Sequence, residues 1–455
     1  MKLICSSVAL LLATFLAFAD GKGLPDNFHF KKLDNGLEVL VIQDPSVPLA
    51  TIELCVRNGA YTESPEFDGL SHLYEHMFFK ANETYPSQEA FMNRISEMGA
   101  TFNGTTSVAR VNYYITLGSH NVVDGLEFMN AAIRGPLFLK EEMEKENIVV
   151  DAEFERNESN PFFFLNDEMD RNLWGDLYSR KNTIGDHHII KTATPEKMKA
   201  IQAKYYHPNN TLLAIAGDVD PEQMFAEVER VYGSWEHSGF SPHEKYPIPE
   251  FTPLTKSTNF VVENENSRVP IIMRSWHGPD TRKDAKGTLC ADLFSKIIAA
   301  KTSQFQQDLV DSGLALQVSE YYYTNLYTGP ISAILVPNPA KVAEALAKFE
   351  EHIAMWDDEG YITEEQLQTA KDLIVIDEAY SSEKTSEYIH TVTFWWGTAD
   401  IDYYTNYVSE IQKLTLQDLR DYVKKYITDK PNCTGVLVTP QMRTDLNIDE
   451  IFNIK

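Results

Sequence analysis

Residues 69–80 read GLSHLYEHMFFK, with His72 and His76 four apart and Glu75 directly before the second histidine. On a helix, at about 100° per residue, these three side chains fall within a sector of roughly 100°, so two imidazoles and a carboxylate face one point. Two histidines at i and i+4 are a zinc-binding arrangement, and a carboxylate beside them can take a proton from water. The plainer alternative is an amphipathic helix that carries two histidines.

A catalytic zinc takes three protein ligands and keeps one position open. The candidate third ligand lies in EKENIVVDAEFERNESNP, where Glu146 and Glu153 stand seven apart and so point the same way, two helical turns from each other. One of them can hold a metal while the other orients a ligand. Glu142, Glu144 and Glu155 crowd the same segment, so an acidic, solvated face is the alternative for any single carboxylate, and spacing alone does not choose.

These residues need a framework to hold them. The chain has 455 residues, 43% apolar and 11% aromatic, enough for two globular domains. TPEKMKAIQAKYYHPNNTLLAIAGDVD (194–220) and TLQDLRDYVKKYITDKPNCTGVLVTP (415–440) share a helix, turn and apolar strand pattern. Aligning Thr194 with Thr415 brings Lys204 onto Lys425 and Tyr205 onto Tyr426, so the chain reads as a duplication. The Pro-, Ser- and charge-rich stretch 236–256 reads as a linker between domains at 20–235 and 257–455. Strand patterns open both halves, the first around the hairpin signal Asn35-Gly36. Strands followed by runs of helices predict an α+β fold of two homologous domains, each a largely antiparallel sheet flanked by helices.

A formal charge of −27 disfavours nucleic acid and anionic lipid as partners. No GxGxxG or Walker loop offers a foothold for nucleotides. Residues 1–19 read as an export signal, with Lys2, an apolar run from Val8 to Leu16, and Ala17-Phe18-Ala19 before the expected cleavage. The expected location is periplasmic or secreted, without membrane insertion, since no later segment reaches the ~18 apolar residues of a spanning helix. Cys55, Cys290 and Cys433 are too few and too scattered for a disulfide framework or a CxxC metal site.

VRNGAYTESPEFDGLSHLYEHMFFKANETYP, MGATFNGTTSVARVNYYITL, ENIVVDAEFERNESNP and the TIGD…AGDVD segment together resemble the insulinase family of zinc metallopeptidases, of H-x-x-E-H (inverzincin) type. The likeness covers nearly all of the mature chain and extends to the mitochondrial processing peptidase type and its bacterial relatives. It implies one zinc ion held by His72, His76 and Glu153, with Glu75 as the base that activates water and Glu146 as a carboxylate that orients a ligand. It also sets Asn103 on a strand along the peptide substrate, and implies a clamshell of two homologous halves around short or unfolded peptides.

One departure stands out. Active members of the family use an arginine and a tyrosine from a second-half segment, whereas LVDSGLAL (309–316) has Val310 and Leu316 at those positions. Neither can donate a hydrogen bond to an oxyanion, a loss that typically costs ~10²–10³ in rate. Tyr321, Tyr322, Tyr323 and Tyr327 lie nearby in sequence, and ordinary strand and core aromatics account for them. The expectation is therefore a zinc-bearing subunit whose partner, a paralogue of the same family, supplies the pair; a homodimer is the other assembly. The alternative function is a non-catalytic scaffold or peptide-binding subunit.

Overall fold

Asn35 and Gly36 turn the chain as their types predict. Gly36 adopts φ +90°, and the Asn35 side chain accepts the Leu37 amide and donates to the Tyr232 carbonyl. The computed structural model describes residues 24–454 apart from 176, 178 and 179, so the expected export signal lies outside the described residues.

The first half runs β1 (Phe28–Lys32), β2 (Glu38–Gln43), β3 (Leu49–Val56), α1 (Leu70–Phe78), α2 (Gln88–Glu97), β4 (Thr101–Thr106) and β5 (Val111–Gly118). It continues with α3 (Val122–Arg134), α4 (Lys140–Glu158), α5 (Pro161–Trp174), α6 (His187–Lys191), α7 (Pro195–Tyr205), β6 (Thr211–Gly217), α8 (Pro221–Tyr232) and the short α9 (Pro242–Lys245). The second half runs β7 (Thr258–Glu263), β8 (Ile271–His277), α10 (Ala285–Ala299), α11 (Gln304–Gln306), β9 (Ala315–Tyr322), β10 (Pro330–Pro337) and α12 (Val342–Met355). After these come α13 (Glu364–Ser381), α14 (Thr385–Thr398), α15 (Ile401–Lys413), α16 (Leu416–Tyr426), β11 (Cys433–Val438), α17 (Pro440–Asp445) and α18 (Ile448–Ile451).

The first sheet has the order β1-β2-β6-β3-β5-β4 and the second β7-β11-β8-β10-β9. Both are mixed. Most pairs are antiparallel, but β6 runs parallel to β2 and β11 parallel to β7. In each case the last strand returns after a long helical excursion and inserts between two earlier strands, as a crossover permits and a hairpin does not. The duplicated segments coincide in structure: α7 and α16 each have 11 residues, follow Thr194 and Thr415, and end at Tyr205 and Tyr426.

One face of each sheet packs on its own half's helices, forming two large apolar cores. The opposite faces are covered reciprocally. Ile389, Val392 and Trp396 of α14 pack on Leu40, Cys55 and Leu212 of the first sheet. Leu165, Met169 and Leu173 of α5 pack on Met273, Cys433 and Leu437 of the second. Each half thus lends a helix to the other. Trp396 also donates from Nε1 to Glu38 (2.6 Å) and lies under the Arg57 guanidinium at 3.9 Å. Glu53, fully buried on β3, takes hydrogen bonds from Asn112 (2.7 Å) and from His390 and Thr393 of α14.

Candidate metal centre

Helix α1 buries Leu70, Leu73, Tyr74, Met77 and Phe78 in the first core, which leaves His72, Glu75 and His76 directed to the opposite side. Its start is fixed by Gly69 at φ +87°, where a β-carbon would meet the Ile184 carbonyl oxygen at 2.3 Å. Glu63 closes that end by accepting the amides of Gly69 (2.9 Å) and Ser71 (2.8 Å). Burial still pushes this carboxyl up to about 7, against those two hydrogen bonds.

Helix α4 packs against α1, presenting two of its glutamates to it and a third to the chain that follows. Glu142 accepts the amides of Ala81 (3.0 Å) and Gln88 (3.1 Å), so it holds the chain leaving α1. Glu146 lies one turn on, with Oε1 2.8 Å from His76 Nδ1 and Oε2 2.5 Å from Lys80 Nζ. Glu153 lies two turns further, with Oε2 3.7 Å from His72 Nε2 and 3.6 Å from His76 Nε2. The two Nε2 atoms are 3.2 Å apart.

Ligand atoms of His72, His76 and Glu153 therefore lie within 4.8 Å of one another. A tetrahedral ion with bonds of about 2.0–2.2 Å sets its donor atoms roughly 3.3–3.6 Å apart, and the separations of 3.2, 3.6 and 3.7 Å fall in or close beside that range, so small adjustments would seat zinc. His76 Nδ1–H, donated to Glu146, leaves Nε2 as a lone pair aimed at the common point. The chemistry of the set agrees with its spacing.

Electrostatics separate the roles further. Burial, with neighbouring His76 adding to it, pulls His72 down to about 4, so this imidazole is neutral at neutral pH. Burial also acts on His76, but Glu146, Glu153 and Glu75 outweigh it and raise this pKa. Burial would raise Glu146, yet His76 and Lys80 bring it below the usual carboxylate range. Glu75, only 8% exposed, is raised by burial, with the Thr106 hydrogen bond opposing.

Glu75 points between α1 and β4, the edge strand of the first sheet. Its Oε2 accepts the Thr106 hydroxyl at 2.6 Å. Its Cγ and Oε1 occupy the space beside Gly104, at 2.9 and 3.0 Å from where a β-carbon would stand. Asn103 lies on the same strand, but its position alternates with Gly104 and so faces the other side of the sheet; it is exposed and accepts the Gly104 amide at 2.9 Å. The strand runs beside Glu75, while the Asn103 side chain turns from it.

Val310 sits in a π-helical turn, Gln307–Asp311, packed against the second core, and Leu316 is 55% exposed on β9. Tyr322 is buried and donates to the Pro279 carbonyl (2.9 Å), and Tyr327 stacks edge-on against Tyr61 (5.5 Å). His187 bridges Asp151 (2.6 Å) and Glu158 (3.2 Å), tying α6 to α4 apart from the metal donors.

Sequence reasoning passed over Lys80, Thr106, Gly104 and Glu63. Lys80 stands four residues after His76, a helical neighbour spacing, and a glycine inside a strand is a sign of close approach. Thr106 and Glu63 carry no such signal.

Comparison with known proteins bears on this geometry. A family model described as insulinase (peptidase family M16) matches residues 38–185, and one described as peptidase M16 inactive domain matches residues 192–374. An uncharacterized zinc protease of Rickettsia felis is 29% identical over 222 residues, 48% of this chain and 54% of that protein, so the match spans about half the relative's length. The zinc protease PqqE of Helicobacter pylori is 23% identical over 449 residues, 94% of this chain and 97% of its own. The crystal structure of a protease from Helicobacter pylori superposes with a TM-score of 0.81 at 21% identity, over 91% of this chain and 99% of that one. The periplasmic protease PqqL of Escherichia coli superposes with a TM-score of 0.75 at 16% identity, over 95% of this chain and 51% of that one.

Proposed function

The chain belongs to the insulinase (M16) family of peptidases, and on that premise we propose that it is a zinc-dependent endopeptidase acting on short or unfolded peptides. The observation that carries this reading is the convergence of His72, His76 and Glu153, with Glu75 beside them at the edge of a sheet.

His72, His76 and Glu153 would hold the ion, and zinc in that position supplies a Lewis acid that polarises a peptide carbonyl and acidifies water. Glu75 Oε1 takes the proton from the attacking water and delivers it to the leaving amine. Thr106 keeps Oε2 occupied, so Oε1 is the oxygen left for that transfer. Glu146 holds His76 in the tautomer that turns Nε2 outward. β4 is the edge strand of the first sheet among the described residues, and its outward backbone groups can align an extended peptide beside Glu75, with Asn103 flanking it.

The substrate enclosure would take a second chain. Sharing α5 and α14 locks the two sheets into one body, so a clamshell would close between two chains rather than inside one. That this chain covers half of the PqqL chain supports such pairing, as does the lack of an arginine and tyrosine at Val310 and Leu316. We therefore assign it the zinc-bearing role in a hetero-oligomer with a paralogue that carries both residues, exported to the periplasm or beyond. No helix among the described residues is long and apolar enough to cross a membrane. Val310 and Leu316 are also what favours the second reading, a peptide-binding scaffold.

The deciding experiment is peptide hydrolysis by the purified chain, with zinc content measured in parallel, alone and after adding a co-exported family member that has the arginine and tyrosine. Zinc with activity only in the mixture supports a split site. Zinc with full activity alone removes the need for a partner, and absence of zinc in both moves the assignment to the scaffold.

A further inference from the structure

We propose that Lys80 keeps Glu146 off the metal and thereby makes His72, His76 and Glu153 the ligand set, an inference that rests on the zinc reading above. Helix α4 offers two carboxylates to the same imidazole. Glu146 reaches His76 at Nδ1 (2.8 Å) and Glu153 approaches it at Nε2 (3.6 Å). A glutamate side chain free to rotate could leave the imidazole and compete for the ion. Glu146 is not free, because the Lys80 ammonium holds its second oxygen at 2.5 Å while His76 holds the first.

The hold on Lys80 is itself rigid. The next residue, Ala81, donates its amide to Glu142 (3.0 Å) and accepts the Leu137 amide (3.0 Å), so the helix that carries Glu146 also anchors the chain at its partner. Lys80 and Glu146 each have a side chain about 10% exposed, where parting a paired charge is strongly unfavourable. The lysine charge cancels that of Glu146. Glu153 has only the two imidazoles as ion-pair partners among the described residues, which leaves its charge for a dication.

Lys80 is thus a positioning residue, and its test reads the metal rather than turnover. Zinc affinity is measured by competition with a chromophoric chelator, and ligand geometry by the d–d absorption of the cobalt(II) form, in Lys80→Met, Lys80→Arg, Glu146→Gln and the Lys80→Met/Glu146→Gln double variant. Lys80→Met is expected to weaken zinc binding about 10–100-fold and change the cobalt spectrum. Lys80→Arg should restore most of both, and the double variant should bind no worse than Glu146→Gln. Should Lys80→Met fail to fold, Lys80→Gln carries the same criterion.

Wild-type affinity and an unchanged cobalt spectrum in the lysine variant overturn the inference. His72→Ala and Glu153→Ala separate the two levels. If they bind zinc as the wild type does, the zinc reading fails; if they lose zinc while Lys80→Met retains it, only the role of Lys80 fails.

Discussion

Glu75 occupies the space that a β-carbon on Gly104 would need, its Cγ 2.9 Å from that point. Gly104→Ala should therefore displace the carboxylate while leaving His72, His76 and Glu153 in place. A shift near 1 Å at a reacting group costs on the order of 10²-fold in rate. The expected outcome is a fall of about that size in kcat at unchanged zinc content; an alanine variant with wild-type kcat would show that Glu75 needs no such clearance.

Substitutions on α1 and α4 should separate base from ligand. Glu75→Gln removes the proton acceptor and keeps the donors, so hydrolysis should fall by at least ~10²–10⁴ with zinc retained. Glu153→Ala should lower zinc content and activity together. Metal analysis beside peptide turnover checks both, and unchanged zinc in Glu153→Ala would mean that α4 lends a different ligand.

Glu320 on β9 offers a test of stability against pH that lies away from the metal donors. Burial, with the Asp292 carboxylate adding to it and the Ser295 hydroxyl opposing, pushes the group up to about 8 from an ordinary 4.5. A raised carboxyl favours the folded state while protonated, so its contribution is full below about pH 4.5 and is lost as pH rises through about 8. Between those values the folded state binds the extra proton, and stability should decline with pH. Urea midpoints at pH 5 and pH 8.5 should show a smaller decline in Glu320→Gln than in the wild type; equal slopes would refute the assignment.

The lent helices predict how the chain melts. Trp396 is 2% exposed against the first sheet, bonded to Glu38 and stacked on Arg57. Trp396→Ala should cost about 3–5 kcal/mol, and the wild type should unfold in one transition monitored by either half. Two separate transitions in calorimetry would mean that the halves do not depend on α14 and α5.

Some of this was open to a reader of the sequence, and the boundary is instructive. His72, Glu75 and His76 are legible because a helix converts spacing directly into direction, and the turn at Asn35-Gly36 is legible because few residues tolerate positive φ. The match of Thr194 to Thr415 exposes the duplication for the same local reason. Between Glu146 and Glu153 spacing is silent, since seven residues return both to one face; only the approach of α4 to α1 brings Glu146 to Nδ1 and Glu153 to the two Nε2 atoms. The parallel pairs β2/β6 and β7/β11 are likewise set by where a strand inserts after a long excursion. Val392 and Trp396 mark α14 as amphipathic, but no pattern within that helix says which sheet it covers.

The lending of α14 has a consequence for the order of biosynthesis. A ribosome releases β2, β3 and β6 long before Ile389, Val392 and Trp396 exist, so the apolar surface around Leu40, Cys55 and Leu212 must wait for nearly the whole remaining polypeptide. A first half that folded within that interval would expose this surface, the condition under which partly folded chains aggregate. Translocation or a holding chaperone that keeps the chain extended until residue 398 has emerged would spare it that exposure, and termination before α14 would yield a product suited to aggregation rather than to metal binding.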